Sequence, residues 1–138
     1  MVVYDVIDQT SDLGFECRGK TLEALFATAI LALADLITRI EPLSTNETRV
    51  VTASGTDDAL RLRAILEETL YLFEKEGFLP KEAEVVFEKD GVVRATLRGQ
   101  RVDLATYPID RVVKAVTYHQ LSVTKKRGTY RARVILDL

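Results

Sequence analysis

Hydrophobic residues recur at helical spacing in two stretches of the chain and alternate with polar residues in much of the remainder. Residues 22–37 are apolar nearly all round and follow Thr21, a good N-cap residue, which predicts a central core helix. A second, amphipathic helix is predicted to begin at residues 56–58. It should end before Gly77, because glycine suits the left-handed position after a helix.

Runs rich in β-branched and aromatic residues predict the strands. They cover residues 2–7, 13–18, 47–54, 82–88, 92–98, 115–124 and 129–138. Asp90-Gly91 is a strong hairpin signal between two of these runs. The order of elements predicts one α+β domain over residues 1–138, with two helices packed on one face of a largely antiparallel sheet.

The last two runs predict a C-terminal β-hairpin around which the fold is organised. With residues 125–128 as the turn, Thr124 pairs with Thr129, and one face of the hairpin is mostly apolar. A slip of one residue would turn that face to solvent, so burial should fix the register. The strand pattern runs to the last residue, which predicts that the α-carboxylate of Leu138 is held beside Asp137.

The amino-acid composition limits the classes of function that the chain can have. Of the 138 residues, 47% are hydrophobic and 29% charged, which is typical of a soluble globular protein, and the net charge of −2 gives no overall attraction to nucleic acid. A single cysteine indicates a reducing, cytoplasmic setting. Residues 22–37 are too short and too polar to span a bilayer, and the N-terminus lacks the basic start of a signal peptide.

Conventional catalytic motifs are scarce, since the chain has one histidine and one cysteine and no glycine-rich phosphate loop. His119 falls on the apolar hairpin face, which favours a core histidine over a ligand or proton carrier. Cys17 has Arg18 beside it, which can lower a thiol pKa, but an ordinary small hydrophobic role is the simpler interpretation.

Acidic groups at the two ends of the chain are the more informative candidates. Asp12 follows a polar bend, and Asp137 precedes the carboxylate of Leu138. If the first and last strands are neighbours, three carboxylates converge, and their repulsion must be offset by protons or by a cation. A hard ion such as Ca²⁺ or Mg²⁺ suits such oxygen donors. The alternative is that Asp12 caps a turn and Asp137 is solvated.

Basic residues cluster in and after the predicted hairpin turn, namely Lys125, Lys126, Arg127, Arg131 and Arg133. They could contact phosphates of tRNA. Charged hairpin tips also prevent edge-to-edge strand pairing, which is the alternative interpretation.

Two motifs carry a resemblance to a known family. Residues 114–119, KAVTYH, precede a hairpin ending in ILDL, and residues 8–12, DQTSD, lie near the N-terminus. This combination resembles the archease family, whose members carry a KA(I/V)TYH strand, a (D/E)HTAD loop and a terminal Asp-hydrophobic pair. The resemblance covers the whole chain, and the two-helix organisation also fits.

The resemblance implies an accessory protein that activates the RNA-splicing ligase, which joins 3′-phosphate and 5′-hydroxyl RNA ends. It implies promotion of GMP transfer onto the ligase and of multiple turnover, with no catalysis by the chain itself. It also implies a divalent cation, Ca²⁺ in relatives, bound through Asp12, Asp137 and Leu138. Gln9 and Tyr107 stand where relatives often have histidine, which puts proton-transfer or metal roles at those positions in doubt.

Two other function classes stay open. One is a chaperone-like or RNA-binding adaptor for tRNA-modifying enzymes, which would use the stretch from Lys125 to Arg133. The other is a metal-dependent hydrolase built on the carboxylates, which the lack of an adjacent base or nucleophile disfavours.

Overall fold

The computed structural model describes residues 2–8 and 12–138. Eight strands, two α-helices and one short 3₁₀ turn at Lys89–Gly91 follow one another along this part of the chain. In order they are β1 Asp5–Asp8, β2 Asp12–Gly19, α1 Leu22–Ile37, β3 Glu47–Ser54, α2 Asp58–Glu76, β4 Phe78–Phe87, β5 Val92–Arg101, β6 Ala115–Val116, β7 Ser122–Lys126 and β8 Thr129–Asp137.

Both helices begin and end where their local sequence predicts. The Thr21 side chain accepts a hydrogen bond from the Ala24 N–H, which caps α1. The Asp57 side chain accepts from the Leu60 N–H and caps α2, and Gly77 ends α2 in the left-handed region at φ 73°. Helix α1 is buried on most of its surface and packs against β2, β4, β8 and α2, which makes it the central core helix.

The α+β class, the two helices and the antiparallel strand pairing are confirmed, but the strands form two sheets rather than one. Strand β8 lies inside a five-stranded sheet, with β2 on one side and β6 and β7 on the other. Strand β5 lies inside a three-stranded sheet between β3 and β4. Both edges of β5 are thus already paired, one with β3 and the other with β4, and none of its backbone groups remains to join the other sheet. The helices and one hydrophobic cluster connect the two sheets.

The C-terminal hairpin is present with a register two residues away from the predicted one. Lys126 pairs with Thr129, and the turn consists of Arg127 and Gly128 alone. Both turn residues have positive φ, 53° and 78°, as a tight two-residue turn with the twist of its strands requires. Between β7 and β8 a shift of two residues keeps the side chains on their predicted faces, so Val123, predicted opposite Tyr130, lies opposite buried Ala132. In β6 the faces are reversed, because Val116 rather than Thr117 lies opposite Leu136.

The predicted strand over residues 115–124 is interrupted. Val116 pairs with Leu136 and Ser122 with Arg133, which leaves five residues (117–121) opposite two (134–135). The extra residues form a turn in which the Leu121 N–H donates to the Tyr118 carbonyl at 3.3 Å and Gln120 has φ 50°. This turn separates β6 from β7.

The N-terminal strand is shorter than predicted, since the ladder begins at Asp5 rather than at residue 2. Tyr4, directly before this strand, is held by its side chain instead. The Tyr4 hydroxyl donates to the Asp35 carboxylate of α1 at 2.7 Å. Burial and this hydrogen bond raise the pKa of Tyr4 above its ordinary value.

Candidate metal centre

The predicted acidic positions meet at one end of the five-stranded sheet. Asp12, the first residue of β2, is the direct partner of Asp137, the last residue of β8. On the other side of β8, Ala115 of β6 is also paired with Asp137. Leu138 follows Asp137 directly and is 39% exposed. The structure therefore brings positions 12, 137 and 138 together.

The geometry of an antiparallel pair places the two aspartate side chains on the same face of the sheet. Directly opposed residues have Cβ atoms about 4.5–5.5 Å apart, and like charges in such a pair are destabilising. Asp12 is half-buried and Asp137 is exposed. Within residues 2–8 and 12–138, no lysine or arginine nitrogen lies within 4.0 Å of either carboxylate. The repulsion of the acid pair is therefore not offset by this part of the chain.

The donor set fits a hard divalent cation better than a soft one. Carboxylate oxygens are the ligands that Ca²⁺ and Mg²⁺ prefer, and no thiol or imidazole belongs to the pair. Among the described residues, no three side chains of His, Cys, Asp or Glu group together as a metal site. Ligands beyond Asp12 and Asp137 would therefore have to be the Leu138 carboxylate, backbone carbonyls or water, which suits Ca²⁺ with its six to eight oxygen ligands.

Backbone hydrogen bonds fix the end of β8 where Asp137 lies. The Lys114 N–H donates to the Asp137 carbonyl at 2.7 Å. Two residues earlier, the Ile135 carbonyl accepts from both the N–H and the hydroxyl of Thr117, each at 3.0 Å. These hydrogen bonds attach residues 114–117 to the last strand and fix the position of Asp137 in the candidate centre.

Residues of the hydrophobic core pack against the inner face of β8 at the same end. Leu136 is fully buried and lies between Leu13 of β2 and Val116 of β6. These three side chains occupy the inner face, so the neighbouring aspartates are directed to the outer face. Burial of one face thus determines that Asp12 and Asp137 face each other outside the core.

Helix α2 supplies a contact to the site that sequence reasoning missed. The Glu67 carboxylate accepts a hydrogen bond from the Val116 N–H at 2.8 Å and lies 3.3 Å from the Arg63 guanidinium. The Arg63 guanidinium also lies over the Tyr118 ring, 3.9 Å from its centroid. In the sequence, these two residues show only the spacing of an exposed helical ion pair, and no local signal connects them to β6.

His119 is exposed, so its predicted place on the apolar face is wrong. The reason is the turn that interrupts the strand, because it carries His119 out of the sheet instead of opposite Val134. The His119 N–H donates to the Thr117 hydroxyl at 3.1 Å, which fixes its backbone in this turn.

Cys17 is a buried core residue, as its simpler interpretation predicts. It is 4% exposed and lies opposite Ala132 on the inner face of the sheet. Burial raises its pKa to about 12, which keeps the thiol protonated and unreactive near neutral pH.

The basic residues of the hairpin, Lys125 to Arg133, are divided between its two faces. Lys125 lies opposite Tyr130 on the inner side, with its ammonium 5.1 Å from the ring centroid. Arg133 points to the outer side and forms an ion pair with Glu16 at 3.0 Å. Lys126, Arg127 and Arg131 are exposed and share the outer side and the turn.

Of the two positions that depart from the family pattern in the sequence, the structure describes only Tyr107. Gln9 lies outside the described residues. Tyr107 is half-buried in the loop between β5 and β6, where its N–H donates to the Asp103 carbonyl at 2.8 Å.

The fold and the site define a small two-helix α+β domain with an acidic, oxygen-donor candidate site held between its second and last strands. The sequence model of the archease protein family (MTH1598/TM1083) matches residues 4–138. The chain therefore belongs to the archease family.

Individual relatives agree with this assignment. The chain is similar to the protein archease of Methanosarcina barkeri, with 33% identity over 98% of this chain and 95% of the relative. It is 34% identical to that of Archaeoglobus fulgidus over 98% of both chains. The solution structure of Methanobacterium thermoautotrophicum protein 1598 matches with a TM-score of 0.88 and 30% identity over 100% of both chains.

A more distant structural relative shares the fold alone. The Thermotoga maritima protein described as an archease and possible chaperone has a TM-score of 0.58 at 16% identity, over 96% of this chain and 94% of that one. In the part of the chain that the structure describes, neither helix is long and apolar enough to cross a membrane.

Proposed function

We propose that this protein is a non-catalytic accessory protein of the RNA-splicing ligase in the cytoplasm, promoting guanylylation and multiple turnover of the ligase. One observation carries the proposal, namely the direct pairing of Asp12 with Asp137 at the end of the sheet. The archease resemblance predicts a cation site from these two residues and Leu138. Their placement in register supports that site.

A bound cation would offset the repulsion within the acid pair. Two carboxylates opposite each other repel, and no described basic group neutralises them. A bound divalent cation, Ca²⁺ in this proposal, would supply the missing positive charge and bind through Asp12, Asp137 and the carboxylate of Leu138. The chain's own contribution is the ladder between β2 and β8, which keeps Asp12 and Asp137 in direct register.

The residues that follow β6, the strand paired with Asp137, suit contact with a protein partner. The exposed Tyr118 ring lies on Arg63, and exposed His119 follows it in the turn after β6. Aromatic side chains and arginine are common anchors of protein interfaces. In the proposal, this acidic and aromatic end of the sheet contacts the ligase and favours its conformation competent for nucleotidyl transfer.

A guanylylation assay of the ligase with GTP tests the proposal. The wild-type chain should increase covalent GMP-ligase formation and sustain multiple-turnover ligation, and chelation should abolish both effects. Asp137→Asn should lower the stimulation at least tenfold, because one ligand charge is lost. Glu84→Gln, an exposed acid opposite Thr96 in the other sheet, is the matched control and should stimulate normally. Full stimulation by Asp137→Asn would overturn the proposal.

Delivery of the ion to the ligase is the alternative mechanism for the same site. It predicts that the ion leaves this chain when the ligase is added, whereas a surface held in place by the ion predicts its retention in the complex. Equilibrium measurement of bound Ca²⁺ after separation of the two proteins distinguishes the two mechanisms.

The second candidate is a chaperone-like or RNA-binding adaptor for tRNA-modifying enzymes. The described basic residues of the hairpin support this second function only in part. Lys125 lies over the Tyr130 ring, and Arg133 forms an ion pair with Glu16. An adaptor of this kind would leave ligase guanylylation unchanged while altering the activity of a tRNA-modifying enzyme. The assay above therefore also separates the two functions.

A further inference from the structure

Two arginines oppose each other on the outer face of the five-stranded sheet. Arg18 of β2 is the direct partner of Arg131 of β8, and Thr124 of β7 is the partner of Arg131 on its other side. Directly opposed side chains share a face of the sheet, so the two guanidinium groups project together. Both residues are exposed.

This arginine pair differs from the adjacent pair on the same face. Glu16 lies opposite Arg133, and the two form an ion pair at 3.0 Å. In the described residues, no carboxylate lies within 4.0 Å of the Arg18 or Arg131 guanidinium. Like charges at directly opposed positions are destabilising, so an external anion would offset the repulsion of this pair. Asp5 and Glu16 line the same small depression as the two arginines, and Glu16 is already paired with Arg133.

The surface continues into the hairpin turn. Lys126 pairs with Thr129 on the same face, and Arg127 follows in the turn. An open depression of about 390 Å³ is lined by Thr124, Lys126, Arg127, Thr129 and Arg131. Since a water molecule takes up about 30 Å³ in the liquid, the depression has room for a phosphate group and its flanking atoms.

The residue types around the depression select the chemistry of the partner. Tyr130, the nearest aromatic residue of the hairpin, lies on the opposite face beside Lys125. Protein interfaces depend on buried apolar and aromatic anchors, and recognition of bases in single strands depends on aromatic stacking. The residues lining the depression offer neither. Guanidinium, ammonium and hydroxyl groups are the groups that bind backbone phosphates.

We infer that Arg131 and Lys126, which line the depression, form with Arg18, the strand partner of Arg131, a binding site for the phosphodiester backbone of nucleic acid. The backbone is bound irrespective of base sequence. Arg18 lies six residues from Asp12 along β2, about 20 Å at the rise of an extended strand, and on the same face. The site is therefore separate from the candidate metal centre. It is a property of the isolated chain and goes beyond activation of the ligase.

Fluorescence anisotropy with labelled single-stranded RNA and DNA of equal length tests the inference on the full chain. The logarithm of the wild-type affinity should fall with the logarithm of salt concentration with a slope near −2, as three phosphate contacts on a single strand give about −0.7 each. Arg18→Gln/Arg131→Gln should bind at least tenfold more weakly at low salt and lose about 1.4 of that slope.

The matched control is Arg94→Gln/Arg98→Gln, which makes the same change in net charge on the exposed face of β5. It should retain the wild-type slope. RNA and DNA should bind alike if backbone phosphates are the ligand, and strong preference for RNA would add a contact to the 2′-hydroxyl. Thermal unfolding should show that Arg18→Gln/Arg131→Gln is at least as stable as the wild type, because the like-charge pair is gone.

Three results would overturn the inference. The first is that the wild type shows no salt-dependent binding of nucleic acid at low salt. The second is that both double variants weaken nucleic-acid binding equally. The third is that poly-L-glutamate binds as tightly as nucleic acid, which would assign the surface to acidic polypeptides. Guanylylation of the ligase in the absence of RNA should be unaffected by Arg18→Gln/Arg131→Gln. The inference and the proposed function can therefore fail separately.

Discussion

The substitution Asp137→Asn should change the stability of the protein in opposite directions with and without Ca²⁺. Without the ion, Asp137 lies opposite Asp12, and a like-charge pair in this position costs about 0.2–1 kcal/mol. The isosteric amide removes this repulsion. In a chelating buffer the variant should therefore be slightly more stable than the wild type.

With the ion, the order should reverse. A ligand that binds only the folded state adds about 2.7 kcal/mol at a free concentration of one hundred times its dissociation constant. For a domain of this size that gain raises the melting temperature by roughly 10 °C. Asp137→Asn loses one ligand charge, so most of this increase should disappear.

Differential scanning calorimetry of both proteins in EDTA and in Ca²⁺ measures the two effects. Glu84→Gln serves as the control, because it removes an exposed acid from a strand of the other sheet. Its melting temperature should respond to Ca²⁺ as the wild type does. An equal increase in the melting temperatures of Asp137→Asn and the wild type would refute the reasoning, as would destabilisation of the variant in EDTA.

Three further predictions concern the scaffold. Leu136→Ala, at a fully buried position below the site, should lower the free energy of unfolding in urea by about 2–5 kcal/mol; a loss below about 1 kcal/mol would contradict the packing. Asp57→Ala removes the acceptor of the Leu60 N–H and should cost about 1 kcal/mol in the same measurement, whereas Asp57→Ser should retain most of the stability. Burial raises the pKa of Cys17 from the ordinary thiol value of 9.0 to about 12 in the folded protein. As pH rises above 9.0, the thiol of the unfolded chain therefore loses its proton while that of the folded chain keeps it, which favours unfolding. The stability of the wild type should therefore fall relative to that of Cys17→Ala as pH rises from about 8 to 10, and parallel pH profiles would show that the thiol does not contribute.

Local signals in the sequence predict the helices and one strand almost completely. Thr21 and Asp57 act as caps through their own side chains, and Gly77 adopts the left-handed conformation that glycine favours. Strand β3 covers Glu47–Ser54 as predicted, with burial alternating along it. Caps and periodicity depend on neighbours in sequence, which explains their success.

The register of the hairpin and the assignment of strands to sheets depend on contacts between residues far apart in sequence. The predictions of both are partly wrong. Burial of one face fixes the parity of the hairpin but not its absolute register. The register follows from positive φ at Arg127 and Gly128, and arginine gives no signal for that conformation. The division into two sheets, with β5 between β3 and β4, likewise has no local signature.

The candidate site was predictable in part. Two acids at opposite ends of a sequence indicate a shared site only if their strands are neighbours, and β2 and β8 are neighbours. The support from Glu67 to the Val116 N–H spans 49 residues and was not predictable. Exposure of His119 follows from a turn at Gln120 that the strand-like pattern conceals.

A crystal structure grown with Ca²⁺, in which anomalous scattering locates the ion, tests the central claim most directly. One ion should lie within about 2.3–2.6 Å of oxygen atoms from Asp12, Asp137 and Leu138, with water completing its coordination. An ion bound elsewhere on the chain, or none near this pair at saturating Ca²⁺, would contradict the account.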